Sequence, residues 1–432
     1  MSLPCPTILV PGITASCLQD EYPLPPDVVW SAVVLKEYDR IALHPNDMRY
    51  EAKEPARVVG THIFEIAYKE LIQELRHNLR TKEDESIPVY PFSYDWRLPL
   101  NAVEKRLAQF VDEVIDRTKL LRHYYKDGYG VSPKVNLIGH SMGGLIITGY
   151  LQSTGSAARV NKVATLATPF QGSLEAVIKV ITGTSNLGTS APSSREREAA
   201  RVTPALYHLL PSFRAGITLN GGQAPDDSLF DPAMWQPSVT DTLSEFIRIN
   251  GLPTPNGEIK AKDLFAGLLL SAKAHRDRIE AFQLKDAGLE ARDWLAVVGV
   301  GSTTRVKLGI TQKDGKVNFD LRSSDRMNDW TEKNPARNTG DGTVPYEGAL
   351  PKFLAEENLV LVTPDDYGYW EIQDKLMTKV AGFHGILPNM DMIQRLLVRF
   401  FTGRPDAHGN TWGRRAPDAR KWDPPLDLHE EK

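Results

Sequence analysis

A serine, an aspartate and a histidine, each set among glycines, follow one another along this 432-residue chain. Ser141 lies in Gly139-His140-Ser141-Met142-Gly143-Gly144, Asp341 in Gly340-Asp341-Gly342-Thr343-Val344-Pro345, and His384 in Gly382-Phe383-His384-Gly385. A hydroxyl, a carboxylate and an imidazole can act as nucleophile, orienting acid and base in one proton-transfer series. That series attacks a carbonyl carbon and leaves an acyl group on the serine. The chemistry needs the three side chains within hydrogen-bond reach, although more than two hundred positions separate Ser141 from His384.

The surroundings of Ser141 give the strongest local signal. Val135-Asn136-Leu137-Ile138 reads as a buried strand and Leu145–Leu151 as a helix. A strand, a tight turn and a helix around G-x-S-x-G form a nucleophile elbow, in which glycines admit a strained serine. The turn lifts the hydroxyl above the strand ends and leaves the Met142 N–H at a helix N-terminus, where it can donate to an oxyanion. A second donor is expected from the loop after the first strand, Pro11-Gly12-Ile13-Thr14, with the Ile13 N–H placed for it.

Chain order selects the partners. With this elbow the acid follows the serine and the histidine comes last. His44, His62, His77 and His123 precede Ser141, and His140 lies inside the elbow. His208 and His275 fall in a helical insertion, and His408 and His429 in a polar tail, which leaves His384. For the acid, Asp314, Asp320, Asp325, Asp329 and Asp341 are available. Lys313-Asp314-Gly315-Lys316 reads as a hairpin turn that also takes in Asp320, and Asp341 is selected from its pair of glycine turns.

Strands are predicted at Thr7–Val10, Pro88–Phe92, Lys134–Ile138, Lys162–Leu166, Trp294–Val300 and Leu359–Val362. Several are continuous apolar runs, as expected of strands buried on both faces. Amphipathic segments such as Phe64–Leu79 and Val103–Leu121 lie between them, and a helix is predicted at Met390–Phe401. The alternation predicts an α/β fold with a mostly parallel, doubly wound sheet. Residues 1–169 and 293–402 form its core. Residues 170–292 are too long for a loop and are expected to build an inserted helical cap. From Gly403 onward the chain is polar and is expected to wrap loosely or remain disordered.

The formal charge of −4 provides no electropositive field, which argues against nucleic acid as a partner. The composition is that of an ordinary globular protein, with 41% hydrophobic and 25% charged residues. No apolar run reaches transmembrane length and the N-terminus lacks the pattern of a signal peptide, which favours a cytoplasmic location. The two cysteines, Cys5 and Cys17, are expected to be free thiols rather than a disulfide. No metal-ligand cluster or phosphate-binding loop is visible, so neither a metal nor another cofactor is expected.

Taken with the elbow, four further patches resemble the lecithin:cholesterol acyltransferase family, which includes lysosomal phospholipase A2 and the phospholipid:diacylglycerol acyltransferases. They are Ile8–Gly12 with Pro26-Asp27-Val28-Val29-Trp30; Tyr94-Asp95-Trp96-Arg97; Thr168-Pro169-Phe170 with Gly172-Ser173 and Arg195–Glu198; and Gly340–Pro345 with His384 behind it. The resemblance implies an α/β-hydrolase core, a lid near Cys17–Trp30, a helical cap and catalysis on acyl-lipid esters. By position it implies Ser141, Asp341 and His384 as the triad and Ile13 and Met142 as oxyanion donors. Trp30, Tyr94 and Trp96 are candidate substrate contacts. Asp95 and Arg97 can equally be a buried architectural pair over a packed Trp96, and Trp30 can equally belong to the core.

The expected activity is serine-dependent hydrolysis of a lipid or other long-chain ester, with transient contact at a membrane surface. Transfer of the acyl group to an alcohol is the alternative within the same chemistry. A non-catalytic binding protein on a degenerate hydrolase scaffold is the alternative of another class.

Overall fold

The computed structural model describes residues 3–32, 35–53, 55–154, 159–184, 191–254, 257–331, 333, 335–369, 371 and 382–430. Among them, strands β1 (Thr7–Val10), β2 (Val89–Pro91), β3 (Val135–His140), β4 (Val160–Leu166), β5 (Trp294–Gly299) and β6 (Leu359–Val362) form one sheet in the order β6-β5-β4-β3-β1-β2. Every pairing in it is parallel. The predicted strands all appear, with ends shifted by a few residues. The apolar runs are continuous because successive side chains enter two different cores. Ile8, Val10, Leu137 and Val298 face one, and Leu9, Ile138, Val297 and Val360 face the other.

Helix α1 (Glu65–Asn78) and the terminal helix Asp391–Thr402 cover one face; α2 (Leu100–Lys119) and α3 (Met142–Thr154) cover the other. On α2, Val103, Leu107, Val111 and Val114 repeat at helical spacing and form the buried stripe. Each such side chain contributes about 1.5–3 kcal/mol when removed from water.

The chain passes from β1 outward to β2 and returns to place β3 on the other side of β1. The strand order therefore reverses between β1 and β3. Ligands of open α/β sheets bind above the carboxyl ends at such a reversal. Both loops expected from the sequence to supply the nucleophile and the oxyanion donor leave the sheet there: Pro11–Thr14 after β1 and Ser141 after β3.

Between β4 and β5 lie α4 (Leu174–Thr182), α5 (Ser194–Arg201), α6 (Pro237–Asn250) and α7 (Ala261–Glu280). Ser173 and Ser193 cap α4 and α5 by accepting from the Glu175 and Glu196 amides, and Gly183 ends α4 at φ 71°. The segment also contributes strand Ile217–Leu219, which pairs in parallel with Leu308–Lys313 beyond β5. Leu308–Lys313 forms a hairpin with Lys316–Asp320. Its turn residues, Asp314 at φ 50° and Gly315 at φ 74°, are those read from the sequence. Polar ties fix α7 to the sheet-bearing part: His275 Nε2 lies 2.7 Å from Glu104 Oε1 on α2, and Arg278 donates to both oxygens of the same carboxylate.

One region takes a form the sequence did not specify, and another differs from expectation. Around Cys17–Trp30 the chain forms strands Ser16–Asp20 and Asp27–Ser31 of an antiparallel sheet that also contains Leu35–Lys36 and Val58–Ile63. Leu18, Val29 and Trp30 bury its inner side. The C-terminal tail is ordered through Glu430 and docks against β6. Leu361 and Arg414 form an antiparallel bridge, Trp422 Nε1 donates to Leu359 O at 2.9 Å, and Arg414 pairs with the buried Asp366 at 2.6 Å. The tail has little apolar periodicity, but β6 is an edge strand whose free backbone groups accept a partner.

Cys5 and Cys17 are both free thiols. No helix among the described residues is long and apolar enough to cross a membrane.

Candidate active site

The elbow is built by close approach. Ser141 has φ 53°, a left-handed conformation that costs on the order of 1–3 kcal/mol for a residue with a Cβ. The Ser141 N–H donates to Leu166 O at 2.9 Å and its carbonyl accepts from Gly144 at 3.1 Å, which hold the turn. A Cβ at Gly139 would stand 2.6 Å from Gly144 N, and one at Gly143 would strike the Val10 carbonyl. Only glycine allows helix α3 to leave β3 this tightly.

Ser141, His384 and Asp341 meet above the strand ends. Ser141 Oγ is 2.9 Å from His384 Nε2, and His384 Nδ1 is 2.7 Å from Asp341 Oδ2. The other carboxylate oxygen, Oδ1, accepts from the amides of Thr343 at 2.9 Å and Val344 at 2.7 Å. Asp341 is fully buried, unlike a solvated Asp-Gly turn, and Gly342 at φ 96° bends the chain back so that those amides reach it. The His384 amide donates to the Asp341 carbonyl at 3.0 Å, joining the two loops through backbone as well as side chain. The rival acids Asp314 and Asp320 lie on the hairpin and its turn, while Asp325 pairs with Arg305 at 3.8 Å.

The Ile13 amide is oriented through its peptide. Tyr94 OH donates to the Pro11 and Gly12 carbonyls at 2.8 and 3.2 Å, and Ala15 N also donates to Gly12 O. Carbonyl and N–H point to opposite sides of a trans peptide, so the Ile13 N–H is directed away from Tyr94. Met142 is the first residue of α3, and its amide has no carbonyl one turn earlier within the helix to bond. The two predicted oxyanion donors thus flank Ser141 on loops from β1 and β3.

A cavity of about 200 Å³ opens onto Ser141 and His384. Its walls are largely apolar and include Ile13, Trp30, Phe64, Trp96, Leu206 and Leu209. Trp30 and Trp96 line it side by side, with ring centroids 4.9 Å apart. Tyr94 does not line it: this side chain lies beneath the loop, with its hydroxyl spent on the two carbonyls, and is not placed as a substrate contact. Asp95 and Arg97 form a buried ion pair at 2.7 Å, and Glu51 adds a second carboxylate at 2.7 Å. Arg97 also donates to Ile41 O, so its role is architectural.

Several neighbours were not visible in the sequence. Glu175 and Lys179, one turn apart on α4, line the cavity and give its largely apolar wall a charged patch. Tyr68 OH lies 2.7 Å from His140 Nδ1, and His140 Nε2 lies 2.9 Å from the His384 carbonyl. Burial pushes the His140 pKa down to about 3, and His384 nearby acts in the same direction. Among the described residues no cluster of three or more potential ligands could hold a metal ion.

A parallel sheet wrapped by helices, with a serine elbow at the strand-order reversal, defines an α/β-hydrolase. Residues 59–242 match the family model described as lecithin:cholesterol acyltransferase, which bears out the resemblance carried by the motifs. No curated protein matches the chain. Among solved structures it is similar to a chain of the Tle4–Tli4 complex, at 14% identity over 82% of this chain and 90% of that one, with a TM-score of 0.57. At that identity the likeness speaks for fold alone. Two looser matches have TM-scores of 0.35 and 0.32 and carry no argument. One is the product of gene lin2722 from Listeria innocua, at 10% identity over 94% of this chain and 96% of that one. The other is phospholipase PlaB from Legionella pneumophila, at 11% identity over 73% and 50%. The family match supports a lipid ester hydrolase or an acyltransferase acting on such esters.

Proposed function

We propose that the protein is a serine-dependent lipid ester hydrolase working through an acyl-enzyme on Ser141. The observation that carries this reading is the continuous line Ser141 Oγ, His384 Nε2, His384 Nδ1, Asp341 Oδ2, opening into an apolar cavity. His384 takes the hydroxyl proton as Oγ attacks the ester carbonyl. Asp341 holds the ring with Nδ1–H toward itself, leaves Nε2 free to accept, and stabilises the imidazolium that forms. The amides of Ile13 and Met142 receive the oxyanion; donors of this kind are worth roughly 3–4 kcal/mol each. The C–O bond to the alcohol then breaks, and His384 returns its proton to the leaving oxygen. Water, deprotonated by the same imidazole, releases the fatty acid and restores Ser141.

The cavity walls favour a long acyl chain, since Trp30, Trp96, Phe64 and Leu206 offer apolar contact and few polar partners. Transfer to an alcohol in place of water is the second reading, favoured by the family match. The experiment is incubation with mixed phospholipids and neutral glycerides, with and without a long-chain alcohol, beside fluorophosphonate labelling. Labelling lost in Ser141→Ala together with released fatty acid supports hydrolysis, and a new ester supports transfer. An unlabelled, inactive wild type would defeat both and leave a binding protein on a hydrolase scaffold.

A further inference from the structure

Three segments distant in sequence meet at one histidine that takes no part in the proton transfer above. His140 precedes the nucleophile, Tyr68 comes from α1, and the third group is the backbone carbonyl of His384. Tyr68 OH is in turn 3.1 Å from the Gly12 amide, within the loop that presents Ile13. The chain of contacts therefore runs from the oxyanion loop, through Tyr68 and His140, to the backbone of the base.

Its polarity is determined by the two backbone groups at its ends. A carbonyl only accepts, so His140 Nε2 must carry the hydrogen toward His384 O. In the neutral ring Nδ1 is then an acceptor, and Tyr68 must donate its hydroxyl proton to it. The Tyr68 oxygen is left to accept from the Gly12 N–H, which can only donate. Every link has one permitted direction, and no donor or acceptor in the line is idle. Burial of the ring disfavours its charged form, pushing the pKa down to about 3, and so supplies the neutral ring from which these directions follow.

We propose that Tyr68 and His140 are positioning residues that lock the oxyanion loop and the base to the nucleophile as one unit. The proposal rests on the serine-hydrolase reading of Ser141, His384 and Asp341. Tyr68 holds the Gly12 amide while Tyr94 holds the Gly12 carbonyl, so the two tyrosines fix the planes on both sides of that residue and with them the direction of the Ile13 N–H. His140 holds the backbone of His384 from beneath, beside the Asp341 carbonyl that accepts its amide. Removing the Tyr68 hydroxyl would leave a buried amide and a buried ring nitrogen unpaired, at the two sides of the reacting serine.

The test uses Tyr68→Phe, His140→Gln, His140→Ala and the double variant of Tyr68→Phe with His140→Gln on a soluble short-chain ester, with fluorophosphonate labelling of each. Tyr68→Phe keeps the ring and packing and removes only the hydroxyl. His140→Gln keeps an N–H where Nε2 stood. Each single variant should lower kcat about tenfold or more with KM within about twofold, because the Tyr68 hydroxyl and both His140 nitrogens are spent within the network and act on transition-state geometry. His140→Gln should retain more activity than His140→Ala. The double variant should lose little beyond the worse single one, as for groups in one network. Single variants with kcat within about twofold of wild type, or losses that multiply in the double variant, would overturn the proposal. Wild-type labelling at Ser141 separates this outcome from failure of the hydrolase reading, which would leave every form unlabelled. Should His140→Gln not fold, Tyr68→Phe alone decides, by its split between kcat and KM.

Discussion

Gly12 stands so close to Ser141 that a methyl group on its Cα would lie 2.9 Å from the serine Cβ and 3.3 Å from Oγ. The proposed oxyanion loop and the proposed nucleophile are thus in contact through a missing side chain. Gly12→Ala should push the Pro11–Ile13 loop away from Ser141 and misplace the Ile13 amide. An oxyanion donor lost in this way costs about 10²–10³ in kcat. Steady-state hydrolysis of a chromogenic ester, with a melting curve as control, reads the effect. Unchanged kcat/KM in a folded Gly12→Ala protein would remove this loop from the site.

Asp341→Asn tests the orienting acid. The amide can keep its oxygen toward the Thr343 and Val344 amides only by turning its NH₂ toward His384 Nδ1. The ring must then carry its hydrogen on Nε2, facing Ser141, where a base is needed. The expected loss is roughly 10³–10⁴ in kcat, by analogy with the same exchange in serine proteases, with stability little changed. A variant retaining a tenth of wild-type kcat would show that another group orients His384.

These predictions draw on features of unequal legibility. The six strands were readable because two-sided burial leaves an unbroken apolar run, and Ser141 was readable because the elbow demands glycine at fixed offsets. Asp341 and His384 followed from order in the chain. Tyr68 was not readable: it is one aromatic on an amphipathic helix, and its pairing with His140 spans 72 positions with no local pattern. The ordered tail was missed for a similar reason. Its anchors, Trp412, Arg414 and Trp422, are single residues whose meaning depends on the exposed edge of β6. Tyr94 stood in the right motif, but its side chain turned out to support the loop beside the cavity.

Buried histidines make stability depend on pH. His140 is held near pKa 3, and burial also pushes His208 and His275 well below the ordinary value, helped by Arg276 and Arg278. A histidine whose pKa is depressed on folding binds its proton more readily in the unfolded chain. Its stabilising contribution is complete above the unfolded value of about 6.5 and declines as pH falls toward the folded one. For His140 the window runs from about 6.5 down to about 3, at roughly 1.4 kcal/mol per pH unit. His140→Gln should flatten the decline in unfolding free energy between pH 6.5 and 4.5 by about that slope, whatever its effect at neutral pH. Denaturant unfolding at several pH values measures it, and parallel curves for variant and wild type would refute the assignment.

Arg97 is the remaining point at which architecture and site meet. Its guanidinium bridges Asp95 and Glu51 and donates to Ile41 O, all in a region closed to water. On either side of Asp95 stand Tyr94, which holds the Gly12 carbonyl, and Trp96, which lines the cavity and donates through Nε1 to Ser16 O at 3.2 Å. Arg97→Leu would leave two buried carboxylates without a cation, and breaking such a group from one side costs about 3–5 kcal/mol. The melting temperature should fall by several degrees, and the activity of the remaining folded protein should fall too, because the same turn carries Tyr94. Arg97→Lys keeps the charge but cannot reach both carboxylates and the carbonyl with one planar fork, so an intermediate loss is expected. A Leu variant as stable and active as wild type would mean that Glu51 and Asp95 find other partners and that this turn does not support the oxyanion loop.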